Sequence, residues 1–201
     1  MENRTLVLFD FDGTITTHDT LFLFAKFVAG KFKFWIGIIL LFPWLAALKL
    51  GFGSAQRAKE FFLSYYLKGI STKRFDELCA EFCDQILVHS IRQKAELAIK
   101  KYIQEDARIV VVSASPEDWI LPWATQYNME VIATRLQKID NKITGQIEGL
   151  NCNGPEKVNR ICERITVSEY SNIIAYGDSK GDLEMLDLAT KKYFKPFRDR
   201  S

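Results

Sequence analysis

Three short runs of apolar, largely β-branched residues constrain this chain more than any other feature: residues 5–9, 108–112 and 172–176. Each is too short for a helix, and none alternates between apolar and polar positions. Both faces of each must therefore be covered, as in a parallel sheet held between helical layers. Helical periodicity follows or precedes them at 90–105, 117–127, 155–165 and 180–189. A further strand is expected at 129–134, and a short segment at 192–195. That alternation predicts an α/β fold, a Rossmann-like parallel sheet with helices on both faces, whose reactive loops gather at the carboxyl ends of the strands. Residues 137–149 alternate around Asp140-Asn141, the pattern of a small hairpin.

The block from Asp19 to Val88 breaks the alternation. It reads as helices 19–29, 32–50, 54–67 and 72–88, punctuated at Gly30, Gly51/Gly53 and Gly69 to Thr72. We expect a helical cap lobe inserted after the first strand, so that 1–16 plus 89–201 form the core and 17–88 the cap. With 201 residues and an apolar fraction of 48%, the chain has room for one such domain with its lobe.

Charge is nearly balanced, 27 Lys/Arg against 25 Asp/Glu, too small a bias to argue for nucleic acid, and no nucleic-acid partner is expected. Charged Glu2 and Arg4 precede the first strand with no secretory apolar stretch, which predicts a cytoplasmic protein. One segment is anomalous. Residues 34–48 are uncharged, short of the roughly 20 apolar residues a bilayer crossing needs, and are interrupted by Pro43. Between Thr20 and Lys59 there is no acid, whereas Lys26, Lys31, Lys33, Lys49, Arg57 and Lys59 are basic. Two readings stand: a buried helix of the lobe, or peripheral contact of residues 31–52 with the inner face of a membrane. The oligomeric state is left open.

Carboxylates mark the strand ends. Asp10 and Asp12 follow the first strand, and extended backbone would put both on one side with Phe11 turned into packing. Gly177-Asp178-Ser179-Lys180-Gly181-Asp182 follows the strand at 172–176. Carboxylates so grouped, with few soft ligands nearby, suit Mg²⁺, a hard cation that takes oxygen ligands. Lys157 opens a helix and can bring a cation to the same rim, while Ser113 ends the strand at 108–112 and offers a hydroxyl. Acids, a hydroxyl and a lysine together make a site for a transferred phosphoryl group.

These residues resemble the four motifs of the haloacid dehalogenase-like hydrolase superfamily, in its phosphoserine-phosphatase-like branch with a helical cap after the first motif (subfamily IB). The motifs are Phe9-Asp10-Phe11-Asp12-Gly13-Thr14, Val111-Val-Ser113-Ala-Ser, Gly154-Pro-Glu-Lys157 and Gly177 to Asp182. The resemblance implies a Mg²⁺-dependent phosphomonoester hydrolase that works through a phosphoaspartyl intermediate. Asp10 would be the nucleophile and Asp12 the acid and base, with Ser113 and Lys157 gripping phosphate oxygens. Asp10, Asp12 through its carbonyl, Asp178 and Asp182 would hold the metal. Thr14 and Ser179 would support the two loops, and His18 is expected to be structural or exposed.

For substrate, the resemblance is to two kinds of relative. Where phosphoserine phosphatases carry a glutamate for the substrate amine this chain has Asp19. Their carboxylate-binding arginine has Arg57 or Lys59 near its place, and Ala114 replaces a glycine. The cap, with nine aromatics and no acid in residues 22–52, is similar to that of branch members acting on lipid phosphates such as phosphatidylglycerophosphate. A phosphorylated lipid or hydrophobic small molecule is thus the favoured expectation and phosphoserine the alternative. A weakly active, membrane-associated binding protein of the same fold is a third reading.

Overall fold

The protein, represented by a computed structural model, is described for residues 4–49 and 54–198, with the backbone alone described for 43–49. The strands are β1 (Thr5–Phe9), β2 (Arg108–Pro116), β3 (Glu130–Thr134), β4 (Leu136–Ile139), β5 (Lys142–Ile147), β6 (Asn172–Gly177) and β7 (Lys191–Phe194). The helices are α1 (Thr20–Lys49), α2 (Ala55–Leu67), α3 (Thr72–Phe82), α4 (Gln93–Gln104), α5 (Glu117–Ala124), α6 (Pro155–Arg164) and α7 (Leu183–Asp187).

Five strands form one sheet in the order β3-β2-β1-β6-β7, every pairing parallel. The apolar runs are explained by burial on two sides. Val7, Phe9, Val111, Ile174 and Tyr176 point into a core completed by α4 and α5. Leu6, Leu8, Val110, Val112, Ile173 and Ala175 point into a second core completed by α6 and α7. Because β1 lies between β2 and β6, the carboxyl ends of three adjacent strands open at one rim, with Asp10 and Asp178 just after β1 and β6 and Ser113 near the end of β2.

The chain leaves the sheet after β1 and returns to it through paired backbone. Thr17 N–H donates to the Ser90 carbonyl (2.8 Å) and Arg92 N–H to the Ile15 carbonyl (2.8 Å). Between these points lies the helical lobe. The expected break at Gly30 is present as a non-helical residue (φ 74°, ψ 162°) that divides α1 into two helical halves. The lobe is anchored by aromatic packing: Phe24 stacks on Trp119 of α5 with centroids 4.5 Å apart and meets Phe75 and Phe82 edge-on.

Several boundaries differ from the sequence reading. The helix expected over 72–88 ends at Phe82 and continues as wider and then tighter turns to Ser90. The helix expected from 90 starts at Gln93, because residues 90–92 are occupied in the pairing with 15–17. The strand expected to stop at 112 runs to Pro116, drawn on by an irregular pairing with β3. The segment expected as a helix over 180–189 starts as one tight turn, 180–182, followed by α7. Gly51 and Gly53 lie outside the described residues.

The hairpin is β4 and β5, turning at Asp140 and Asn141, both at positive φ (49° and 56°). It lies against the lobe instead of extending the main sheet. Gly69 N–H donates to the Ile143 carbonyl and Ile143 N–H to the Ile70 carbonyl, each at 2.9 Å. Gly145 (φ 81°) permits this approach, since a Cβ there would sit 2.3 Å from Ser64 Cα of α2.

Candidate active site

The loop after β1 places both aspartates. Asp10 keeps an extended backbone (φ −65°, ψ 157°), as does Asp12 (φ −72°, ψ 122°), and Phe11 between them is buried beside Trp123. Gly13 then turns at φ 79°, and a Cβ there would lie 2.4 Å from Asp178 Oδ2. This is the one place in the loop where a left-handed backbone and a close approach are both required. Thr14 Oγ1 donates to Asp10 Oδ2 at 2.9 Å, the supporting role expected of it.

Lys157, on the first turn of α6, is wholly enclosed. Its Nζ donates to Asp10 Oδ1 (2.7 Å), Asp182 Oδ1 (2.6 Å) and the Val112 carbonyl (2.9 Å). Burial pulls the lysine pKa down, but the two carboxylates outweigh it and hold the group above its ordinary value. Burial pushes Asp10 up to about 7, with Lys157 opposing and the neighbouring Asp182 adding to the rise. Asp182, by contrast, is held below the carboxylate range: burial raises it, but the Lys157 charge and hydrogen bonds from Lys157 and Ser179 prevail.

Asp182 organises the loop after β6. One oxygen is taken by Lys157, and the other accepts from the Asp178 N–H (3.1 Å), the Ser179 N–H (2.9 Å) and the Ser179 hydroxyl (2.8 Å). Asp178 is pushed upward by burial, partly countered by Arg198, whose Nη2 lies 2.5 Å from its Oδ2.

Carboxylate oxygens of Asp10, Asp178 and Asp182 lie within 4.8 Å of one another. An all-carboxylate set of this size fits a hard divalent cation, and Arg198 shows that Asp178 draws a counter-charge in this structure. Asp182 accepts from Lys157, Asp178 and twice from Ser179, whereas Asp10 accepts from Lys157 and Thr14 and Asp178 from Arg198, so Asp10 and Asp178 carry fewer competing donors.

Asp12 faces the lobe. Its Oδ1 accepts the Thr20 N–H at the start of α1 (2.6 Å), where the helix N-terminus favours negative charge, and its Oδ2 accepts from Ser113 Oγ at 3.4 Å. Ser113 is itself fully buried and accepts the Ser115 N–H at 3.0 Å, so that Ala114 and Ser115, rather than Ser113, form the wall at this point.

Above these residues lies a cavity of about 440 Å³ between sheet rim and lobe. Its floor holds Asp10, Asp12, Lys157, Asp178 and Asp182. Its roof is Leu21, Phe22, Ala58, Lys59 and Phe62, and Asn151 and Asn153 close one side. Asp19 and Lys59 reach this cavity, and Arg57 does not: it is exposed and lines a different hollow with Glu60, Phe61 and Gln146. Lys59 Nζ donates to the Ala114 carbonyl (2.5 Å) and to Asn151 Oδ1 (2.9 Å). Burial lowers its pKa to about 8 against the pull of Asp12 and Asp19. Partial enclosure by the cavity walls and the nearby Asp12 charge raise Asp19 to about 6. Sequence reasoning missed Asn151, Asn153, Ser115 and Arg198. Asn151, Asn153 and Arg198 sit in loops without periodicity and Ser115 at the irregular end of β2, and only the fold brings them to the rim. His18 is exposed and contacts Thr17 Oγ1.

Residues 7–187 match the family described as haloacid dehalogenase-like hydrolase. Protein CicA of Caulobacter vibrioides (strain NA1000 / CB15N) is 32% identical over 197 residues, covering 97% of this chain and 87% of the relative. Among solved structures, a protein of unknown function from Bordetella pertussis Tohama I superposes with a TM-score of 0.82 at 23% identity, covering 94% of this chain and 89% of the other. A substrate-bound phosphoserine phosphatase complex superposes with a TM-score of 0.69 at 19% identity, covering 96% and 87%. The fold expected from the strand and motif order is therefore shared with phosphoserine phosphatases.

Proposed function

Because the chain belongs to the haloacid dehalogenase-like hydrolase family, we propose that it hydrolyses a small phosphomonoester with a charged head, of the phosphoserine kind, through Asp10 as nucleophile. The observation that carries this is the pairing of a buried, cation-held Asp10 with a cavity whose far end bears Asp19 and Lys59. Asp10 and Asp178, with Asp182 behind them and the Asp12 backbone carbonyl, would hold Mg²⁺. Bound there, the ion would neutralise phosphate charge and so let an anionic nucleophile approach an anionic ester.

In the first step an Asp10 carboxylate oxygen forms a bond to phosphorus as the ester P–O bond breaks, and Asp12 gives its proton to the departing alkoxide. In the second, Asp12 takes a proton from water, whose oxygen attacks the phosphoaspartate, releasing phosphate and restoring Asp10. Lys157 keeps Asp10 oriented and offsets its charge in both. Ser113 positions Asp12 through its hydroxyl. Asp19 accepts from the Leu21 N–H (2.9 Å), and its carboxylate reaches the cavity, where it would meet a substrate amine. Lys59, with two protein acceptors, has a third N–H to offer a substrate carboxylate.

The apolar cap suggested a lipid phosphate instead. Of the described side chains in residues 22–42, however, only Phe22 lines this cavity, so its lining favours the charged head over an acyl chain. A phosphate-release panel with Mg²⁺ tests the choice, using phosphoserine, phosphatidylglycerophosphate, phosphatidate and sugar phosphates. The highest kcat/KM is expected on phosphoserine. Asp10→Asn should abolish turnover and the acid-stable, hydroxylamine-sensitive phosphoprotein, and retention of one-tenth of kcat would refute the nucleophile assignment.

A further inference from the structure

Residues 34–42 of α1 are apolar on every side, yet only one side is covered. Phe34 and Gly37 are buried against α2, with the Tyr66 hydroxyl donating to the Phe34 carbonyl at 2.7 Å. The opposite side exposes Phe32 (83%), Trp35 (58%), Ile39 (71%) and Phe42 (66%), together with Ile36 and Leu40. Their spacing of three and four residues sets them in one stripe along the helix. From Phe34 to Phe42 the only side-chain hydrogen-bonding group is the Trp35 indole. Exposed Lys31 and Lys33 flank the stripe, and six Lys/Arg and no Asp/Glu occur from 20 to 59.

We propose that this stripe docks on the surface of an anionic phospholipid bilayer. Its side chains would enter the boundary between headgroups and acyl chains, and Lys31 and Lys33 would meet lipid phosphates. Three observations favour a bilayer over a protein. A continuous apolar patch of this kind is uncommon on a monomer surface. Protein interfaces carry a hydrogen bond about every 100–200 Å², and this stripe has almost none to give. A second copy would bring an equally basic, acid-free segment against the first. The helix lies along the surface rather than across it: its inner side is fixed to α2, and no helix among the described residues is long and apolar enough to cross a membrane. The proposal does not depend on which phosphomonoester is hydrolysed.

Co-sedimentation with phosphatidylcholine vesicles, with and without phosphatidylglycerol, tests it in the absence of Mg²⁺ and substrate. Binding is expected on the phosphatidylglycerol vesicles. The Trp35→Glu/Ile39→Glu double variant should lower it more than tenfold while leaving hydrolysis of a small soluble ester unchanged. Lys31→Gln/Lys33→Gln should weaken it on the order of twentyfold at low salt, and added salt should do the same to the unaltered protein. Protein left in the supernatant with both vesicles would overturn the proposal. So would a wild-type dimer in analytical ultracentrifugation that the glutamate variant makes monomeric while vesicles stay unbound, an outcome that assigns the stripe to a second copy.

Discussion

Replacing Lys157 by Met keeps the length of the side chain and removes its charge. The ammonium group touches Asp10, Asp182 and the Val112 carbonyl, and the side chain is 1% exposed. Losing it leaves two facing carboxylates and a carbonyl without their donor. Breaking a buried ion pair from one side costs about 3–5 kcal/mol, and protonation of Asp10 relieves part of that. We expect about 3–5 kcal/mol of destabilisation at pH 8 without metal, seen as a fall in Tm of roughly 6–20 °C for a domain of this size. The loss should depend on pH with a definite sign. Burial already raises Asp10 to about 7 with the lysine present, and removing the cation raises it further. A carboxylate whose folded pKa is raised contributes most below its unfolded value, near 4, and that contribution is lost as pH rises through the folded value. The penalty is therefore smaller at pH 5 than at pH 8. Adding Asp182→Asn to the variant should restore stability by removing one of the unpaired charges. Calorimetry in chelator reads all of this. A loss under about 1 kcal/mol at pH 8, or a larger loss at pH 5, would refute the account of the triad.

Three further outcomes are expected. With Lys59 near 8 and Asp19 near 6, both are charged only between those values. The ratio of kcat/KM for phosphoserine to that for p-nitrophenyl phosphate should then peak between about pH 6 and 8 and fall about tenfold per unit above it. Lys59→Gln should flatten the alkaline limb. Gly13→Ala forces a left-handed backbone and a contact with Asp178, so Mg²⁺ affinity by titration calorimetry should drop at least about tenfold with the circular dichroism of the sheet unchanged. Arg198→Ala frees Asp178 of a half-exposed guanidinium worth about 0–1 kcal/mol, and the same titration should show Mg²⁺ binding up to about fivefold tighter.

The floor of the candidate site was legible in the sequence because central parallel strands leave a strong signal: apolar on both faces, then an abrupt carboxylate where the strand emerges. Asp10, Asp12, Asp178, Asp182 and Lys157 all converge as their positions after β1, after β6 and on α6 imply. The turn at Asp140-Asn141 was legible for the same local reason, since both residues tolerate positive φ. What the hairpin packs against was not, because a two-residue turn carries no information about its neighbour. Lys59 and Arg57 were indistinguishable as sequence. Two residues apart on α2 they point about 200° apart around the helix, and only the lobe's orientation decides which reaches Asn151. The cap aromatics announced apolarity without saying which side is covered, because the helix is apolar all round.

The contact between Gly145 and Ser64 bears on how the cavity can open. The lobe cannot swing away from the sheet alone, since residues 136–147 are bound to it and must travel with it. Four chain segments join lobe and hairpin to the sheet, two flanking 20–90 and two flanking the hairpin, and the stack of Phe24 on Trp119 braces the lobe between them. The latter pair includes Thr134 and Asn151, which with Ala114 form the latch for Lys59. Lifting the lobe would part Lys59 on α2 from the Ala114 carbonyl on β2, so this cation keeps both of its acceptors only while lobe and rim stay together.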